Sequence, residues 1–349
     1  MFIVPVTNIE NQPLMPTSIL RARRWIISKK ATPFWKKGIF CVRLNIRTKE
    51  NKQEIAIGID PGSKKEAFTV KSKAHTYLNI QADAVIWVKS AVEERRNARR
   101  TRRFRNTPCR KPRFNKAKGG LSPSTKARWQ WKLRIINWLQ KLFPVSMIVV
   151  EDIKAKTMGK RKWDKSFSPL QVGKKWFYSQ LPNLELKQGW ETKILRDNVG
   201  LKKSGNKLSN DFSAHCVDSW VLANWFVGGH DLPENKKMLL VVPMQFHRRQ
   251  LHVFQPSKNG MRKLYGGTRS LGLKRGSLVK HSKYGLVYIG GSSKGKVSLH
   301  SVTTGVRLCQ NANAMDCNFK TFLSWRTYFK EAVIPPTTLK GRGFLTEIV

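Results

Sequence analysis

The chain has 349 residues, of which 40% are hydrophobic, enough for two or three domains with apolar cores. Lysine and arginine number 67 against 21 aspartates and glutamates, a formal charge of +46 at pH 7. That excess would repel itself unless a polyanion neutralised it, which predicts a nucleic-acid partner. The five dispersed cysteines do not suit a disulfide framework or a zinc site. No apolar run approaches the ~18 residues that span a bilayer, so we expect no membrane partner.

The first ~50 residues predict a small separate unit. A basic helix from about Ser18 to Lys29 is followed by an apolar strand at Ile39–Val42. Three further strand-like runs follow, Ile55–Asp60, Ala67–Val70 and Ala84–Val88, and their short polar connections indicate an antiparallel meander.

A dense run of arginines follows the meander, directly after Glu93 and Glu94. Its members are Arg95, Arg96, Arg99, Arg100, Arg102, Arg103 and Arg105. On a helix they form two adjoining stripes. A solvated charged face is the ordinary interpretation, but like charges without interleaved acids repel one another unless phosphates lie between them. We therefore predict that this helix contacts nucleic acid, as do Arg110 and Arg113 in the basic loop that follows.

The next segments predict alternating helices and strands. An amphipathic helix at 123–142 precedes an apolar strand that ends at Glu151. A helix near 170–181, a strand at Glu191–Leu195 and a helix with His215 and Asp218 follow. Three meander strands followed by helix–strand–helix–strand–helix predict an α/β, RNase H-like mixed sheet with right-handed crossovers. From about residue 245 the glycine-rich, basic chain predicts a small β-rich domain.

Four residues of this sheet are candidates for a metal site. Asp60 and Glu151 each end a buried strand, while His215 and Asp218 share one face of a helix. Taken singly, Asp60 would be interpreted as a turn acid, Glu151 as a strand-end acid paired with an arginine, and His215 as a helix histidine with its hydrogen bonds satisfied. The predicted sheet would bring them together as a two-metal phosphodiesterase site. Asp152 would point to the opposite face, and we interpret Asp211 as a helix N-terminal acid.

Several motifs, taken together, resemble the IscB/IsrB family of transposon-encoded, RNA-guided relatives of the CRISPR single-effector nucleases. They are Pro13-Leu14-Met15-Pro16, Gly58–Gly62, the arginine run, Ile148–Glu151, His215–Asp218, Tyr265–Ser270 and Lys274–Val279. The interval from Glu151 to His215 is needed for a helix and a strand, and it contains no histidine. It has no room for the HNH nuclease of IscB, so the chain resembles the IsrB branch that lacks it.

The resemblance implies a division of the chain into six parts. They are a PLMP domain (1–52), RuvC segments at 53–90, 121–190 and 191–228, an Arg-rich bridge helix with its loop (91–120), and a β-rich domain (229–349). The last would read a short target-adjacent motif, and its candidate residues are Arg262, Lys263, Arg269, Lys274 and Arg275.

The resemblance also implies an activity, an RNA-guided endonuclease that nicks the displaced, non-target DNA strand. Asp60, Glu151 and Asp218 would hold two Mg²⁺ ions, or Mn²⁺ in their place, ~4 Å apart. His215 would ligate a metal or assist the attacking water. The implied partners are a structured, omega-type guide RNA and double-stranded target DNA opened as an R-loop. The protein would be monomeric in a 1:1 ribonucleoprotein, in the prokaryotic cytoplasm and on the nucleoid.

Two alternatives stay open at this point. One is a RuvC-type or RNase H-like nuclease, or junction resolvase, that acts without a guide. The other is an RNA-binding transposon accessory protein with an inactive site. The arginine run and the terminal domains argue against the first, because a minimal nuclease needs neither. The filled candidate positions argue against the second.

Overall fold

The computed structural model of the chain describes residues 3–45, 52–106, 121–152, 169–230, 232–235, 237–245, 254–255, 260–261 and 269–331. Over these residues the protein is a mixed α/β structure with a β-rich C-terminal region. It divides into two compact units, one of Met1–Glu50 with Leu240–Phe329 and one of Asn51–Leu239 with the segment from Lys330 onward. Within the described ranges, no helix has the length and apolarity needed to cross a membrane.

The N-terminal part of the first unit is a four-stranded sheet with one helix. Its elements are β1 (Ile3–Thr7), β2 (Pro13–Ser18), α1 (Ile19–Ile27), β3 (Ala31–Lys36) and β4 (Ile39–Leu44), and the strand order is β2-β1-β4-β3. The Ser18 hydroxyl accepts a hydrogen bond from the Arg21 backbone N–H, which caps α1. The predicted basic helix and the strand at Ile39 are confirmed.

The described residues of the second unit form a mixed sheet and five helices. Its elements are β5 (Ile55–Asp60), β6 (Lys65–Ser72), β7 (Thr76–Asp83), α2 (Val88–Asn106), α3 (Pro123–Gln140), β8 (Met147–Asp152), α4 (Pro169–Tyr178), β9 (Leu184–Gln188), α5 (Gly189–Asn198) and α6 (Phe212–Val227). Within this unit the strand order is β7-β6-β5-β8-β9, and β10 (Lys237–Pro243) spans the boundary in sequence between the two units. Strands β5, β6 and β7 are antiparallel neighbours, and β8 and β9 continue parallel to β5.

Helices cover both faces of this sheet. On β6, Thr69 faces α6, because its hydroxyl lies 2.8 Å from that of Ser219. Glu66, three residues earlier, faces the opposite way. There it forms a buried ion pair with Lys132 of α3, with 2.9 Å between Nζ and Oε2. Burial on both faces explains why β5 and β8 are apolar along nearly their whole length.

Two predicted strands are wrong. The third meander strand is Thr76–Asp83, whereas the residues from Val88 onward are helical and Ile86 is 63% exposed. Strand β7 was not predicted because it contains polar residues that are nevertheless buried. One of them is Gln81, whose side-chain amide donates a hydrogen bond to the Ser209 carbonyl at 3.0 Å. Glu191–Leu195 lies inside α5, because Glu191 completes a capping box with Gln188 and so starts a helix.

The C-terminal part is β-rich, as the sequence predicted. Its strands are β11 (Phe254–Gln255), β12 (Gly260–Met261), β13 (Arg269–Ser270), β14 (Leu273–Lys274), β15 (Ser277–His281), β16 (Gly285–Ser293), β17 (Lys296–Ser301), β18 (Arg307–Ala312), β19 (Cys317–Phe322) and β20 (Trp325–Glu331). Five of them form a sheet in the order β18-β17-β16-β15-β19, packed around Val279, Val287, Val297 and Leu299. The domain boundaries implied by the resemblance stay predictions.

Candidate metal centre and nucleic-acid interface

Two acids meet at the carboxyl ends of neighbouring parallel strands. The register of β5 and β8 pairs Ile59 with Val150, so the next residues, Asp60 and Glu151, lie side by side. Both are 5% exposed. Carboxylates pay a large desolvation penalty unless a cation or hydrogen bonds compensate them, so this end of the sheet requires positive charge nearby.

Helix α6 brings the third acid to the same place. It crosses β5 at Gly58, where a side chain would meet the Ser219 carbonyl oxygen. The hydroxyl contact between Thr69 and Ser219 sets the helix on the neighbouring strand. This packing turns Asp218, which is 1% exposed, toward the ends of β5 and β8.

The three carboxylates form a compact cluster. One ligand oxygen from each of Asp60, Glu151 and Asp218 lies within 4.8 Å of the others. In the part of the chain that the structure describes, these are the three side chains grouped closely enough to hold a metal ion. Oxygen-rich sets of this kind suit Mg²⁺ and Mn²⁺.

The orientation of His215 fits a cation at the same place. Its Nε2 atom lies 2.9 Å from the Lys207 carbonyl oxygen, which can only accept a hydrogen bond, so Nε2 carries a proton. The Nδ1 atom is buried without a hydrogen-bond partner, 3.5 Å from Asp60 Oδ2. In a neutral ring its lone pair would face a carboxylate, which is favourable only with a second proton or a metal ion between them. Histidines that ligate metals commonly donate their other nitrogen to a carbonyl in this way.

Two basic side chains also reach the cluster, and neither was predicted from the sequence. The Lys203 ammonium lies 3.2 Å from Asp60 Oδ2 and hydrogen-bonds to Asp218 Oδ2 as well. The Arg196 guanidinium donates to the other oxygen of Asp218 at 2.8 Å. A single lysine in a loop and a single arginine on α5 belong to no sequence pattern, so no local signal could have identified them.

The pKa values of the two strand-end acids, Asp60 and Glu151, are shifted in opposite directions. Burial raises the pKa of Glu151 to about 8, and the charges of Asp60 and Asp218 add to the effect. Burial acts on Asp60 too, but the His215 ring and the Lys203 ammonium outweigh it and hold the pKa of Asp60 below its ordinary value. Burial lowers the pKa of Lys203, yet Asp60 and Asp218 reverse this and raise it. Near neutral pH the metal-free cluster therefore keeps a proton on Glu151, which a bound cation would release.

The two acids that the sequence analysis set aside lie elsewhere. Asp152 faces α4, where it accepts hydrogen bonds from Lys174 at 2.8 Å and Tyr178 at 2.9 Å. Asp211 is the N-cap residue of α6. The geometry therefore agrees with choosing Glu151 over its neighbour, while the catalytic roles of the four candidates stay predictions.

The arginine run lies on α2 and faces solvent. The described side chains of Arg95, Arg96, Arg99, Arg100, Arg103 and Arg105 are all exposed. Among the described residues, none of these arginines forms an ion pair with a carboxylate. Six unpaired guanidinium groups along ~15 Å of helix attract a polyanion. Arg102 lies on the same helix, and Arg110 and Arg113 lie outside the described residues.

The candidates for motif recognition are only partly described. Arg269 lies on β13, whereas Arg262 and Lys263 are outside the described residues. The Lys274 ammonium lies 5.3 Å from the centre of the Phe322 ring. Lys274 also lines a pocket of about 490 Å³ with Leu271, Phe319 and Phe322. Arg275 lies in the turn before β15. None of these contacts tests motif recognition, which stays a prediction.

Comparison with known proteins finds a family match in the N-terminal part of the chain. Residues 4–163 match the family model described as RRXRR protein, a family associated with IscB/IsrB-like nucleases. The matched range includes Asp60, Glu151 and α2, whose residues Arg99–Arg103 read Arg-Arg-Thr-Arg-Arg. It ends before His215 and Asp218. Among curated proteins, none matches this chain.

Proposed function

We propose that this protein is an RNA-guided DNA endonuclease of the IsrB type that nicks the displaced strand with an RNase H-like RuvC site. The observation that carries the proposal is the convergence of Asp60, Glu151 and Asp218 within 4.8 Å, with the unpartnered Nδ1 of His215 beside them. Four side chains from three elements, separated by long stretches of sequence, converge here with ligand atoms that suit a divalent cation.

The architecture supports the RNase H-like part of the proposal. Three antiparallel strands are continued by two parallel strands, and a helix packed across the first strand carries the last acid. Asp60 and Glu151 lie at the carboxyl ends of β5 and β8, next to this helix.

The chemistry would be metal-assisted phosphodiester hydrolysis. Asp60, Glu151 and Asp218 would hold two Mg²⁺ ions, which lower the pKa of bound water and neutralise developing negative charge. His215 acts through Nδ1, because the Lys207 carbonyl holds Nε2 and thereby orients the ring. The pKa of Asp60 lies below its ordinary value, so the carboxylate is charged at neutral pH and can bind a cation.

The exposed arginines support the nucleic-acid part of the proposal. Helix α2 would contact the sugar–phosphate backbone of the guide RNA–target heteroduplex, with base pairing left to read the sequence. The described residues contain a single acidic cluster, so the protein would cut one strand. Pairing with the guide encloses the target strand in a heteroduplex, whereas the displaced strand is single and free to enter the site.

The decisive experiment is strand-specific mapping of the cleavage product. The full chain should be expressed with the DNA that flanks its gene, and RNA that co-purifies with it should be sequenced. With that RNA, Mg²⁺ and a matched supercoiled plasmid, we expect an open circle cut in the displaced strand. The Asp60→Asn variant should bind RNA as the wild type does but leave the plasmid intact, because it loses metal charge and no phosphate contact.

Other outcomes would favour the alternatives. Cleavage that does not depend on RNA would support a guide-independent nuclease or resolvase. Binding of a discrete RNA without cleavage in Mg²⁺ or Mn²⁺ would support an accessory protein. Rapid cutting of both strands would contradict the nickase.

A further inference from the structure

The ammonium group of Lys203 lies where a divalent cation would contact the acids. It hydrogen-bonds to Oδ2 of Asp60 and to Oδ2 of Asp218, two members of the cluster. Arg196 already holds Oδ1 of Asp218 from the α5 side. Two of the three acids, Asp60 and Asp218, therefore already have a cationic partner that belongs to the chain.

We infer that Lys203 is an internal competitor of the metal: it holds Asp60 and Asp218 in place in the metal-free protein and withdraws when a divalent ion binds. The inference rests on the proposed function only in taking a divalent ion as the ligand of the acids. It assigns a positioning role, not a chemical step, to a residue that no sequence motif includes.

Withdrawal follows from charge and shared ligands. A metal held by Asp60 and Asp218 needs the oxygens that the ammonium contacts, and two positive charges at one site repel each other. Without Lys203, the crowded carboxylates would repel one another in the absence of metal. The lysine therefore stabilises the metal-free protein and weakens its affinity for the metal.

The surroundings allow the side chain to move while the loop stays in place. Leu201 is 2% exposed, and the Ser204 N–H donates to the Ser213 carbonyl at 2.8 Å, so the backbone is anchored on both sides of Lys203. The Lys203 side chain itself is 26% exposed, which leaves a path to solvent. Its flexible four-carbon stem can swing outward without a backbone change.

The test measures Mn²⁺ binding to the full chain, by electron paramagnetic resonance of the free ion, in the wild type and four variants. We expect Lys203→Met to bind Mn²⁺ at least ~5-fold more tightly than the wild type, the lower end of ordinary coupling between ligands. Lys203→Arg keeps a positive charge at this position and should therefore bind Mn²⁺ more weakly than Lys203→Met does. Lys202→Met removes the same charge from the exposed neighbouring residue and serves as the matched control.

Thermal melting adds a readout that is independent of cleavage. In EDTA, Lys203→Met should melt below the wild type, because the acids lose their internal cation. Saturating Mn²⁺ should raise the melting midpoint of the variant more than that of the wild type, as its tighter binding requires.

The outcomes separate this inference from the proposed function. Unchanged Mn²⁺ affinity in a folded Lys203→Met protein would reduce Lys203 to an ordinary loop ion pair. If the wild type and Asp60→Asn bound Mn²⁺ equally, the proposal that Asp60 belongs to a metal centre would be wrong. If Lys203→Met does not fold, NMR of the wild-type lysine side chains decides: Mg²⁺ should move the Lys203 signal, assigned with Lys203→Arg, to the position of exposed lysines. A signal that stays in place while Mg²⁺ binds would overturn the inference.

Discussion

Replacing Gly58 by alanine tests whether the close packing of α6 against β5 positions the acidic cluster. A Cβ atom at Gly58 would lie 1.9 Å from the Ser219 carbonyl oxygen and 2.7 Å from the Ala223 nitrogen. Both are backbone atoms of α6, so no side-chain rotation can relieve the clash. Reaching an ordinary contact of 3.4 Å requires α6 to move by about 1.5 Å relative to β5.

The expected effects follow from that displacement. Overpacking of a core costs ~1–3 kcal/mol, and the melting midpoint falls by ~2–4 °C per kcal/mol in a domain of 150–250 residues. We therefore expect a midpoint about 2–12 °C lower. Because α6 carries His215 and Asp218, the shift also disturbs the metal ligands, and a misplacement of ~1 Å costs ~10²-fold in rate.

The assay combines thermal melting, Mn²⁺ binding and plasmid nicking. Gly205→Ala is the matched control for stability, because a Cβ atom there meets nothing within 4 Å. That variant should be unchanged or ~0.4–1 kcal/mol more stable, since alanine restricts the unfolded chain. A Gly58→Ala protein that melted within about 1 °C of the wild type and bound Mn²⁺ equally well would refute the reasoning.

Three further predictions follow. Replacing Arg96, Arg100 and Arg103 together by glutamine should weaken nucleic-acid binding. The slope of the logarithm of the binding constant against the logarithm of the salt concentration should become shallower by up to ~0.9 per lost phosphate contact. An unchanged slope would mean that α2 is an ordinary solvated surface. Lys132→Met should lower the free energy of unfolding, measured by denaturant titration, by ~3–5 kcal/mol, because it leaves the buried Glu66 carboxylate unpaired. Replacing Glu66 by methionine as well should restore most of that loss. The folded pKa of Glu151, about 8, exceeds its ordinary 4.5, so its protonated form stabilises the fold. That stability is complete below pH 4.5 and lost as the pH rises through 8. The midpoint in EDTA should fall across this window, and Glu151→Gln should abolish that part of the fall.

The strands show where sequence reasoning about the sheet succeeded and where it failed. The apolar runs at Ile55–Asp60 and before Glu151 were identified, because strands covered on both faces are apolar throughout. Strand β7 was missed because it buries Asn79 and Gln81, whose amides bond to groups distant in the chain: Asn79 donates to the Asn235 carbonyl at 3.3 Å. Hydropathy counts such residues as exposed, although their hydrogen bonds permit burial.

The chemical character of this protein follows from composition and local pattern alone. The charge of +46, the arginine run, the acids at the ends of two apolar runs and the acid on the face of a helix are all properties of local composition and spacing. They predicted a polyanionic partner and the three acids that the fold brings within 4.8 Å. Local pattern sufficed because strand ends and helix faces are set by neighbouring residues, within a few positions along the chain.

The other groups that act on those acids are known from the folded structure alone. Lys203 and Arg196 reach Asp218 from a loop and from α5. His215 is oriented by the carbonyl of Lys207, at 2.9 Å from Nε2. These contacts depend on how α6 packs against β5 at Gly58, and a loop lysine that enters a buried acidic cluster has the same local sequence signal as one that faces water. Electrostatic interactions act through space, so the partners of a buried charge are known only once the chain is folded.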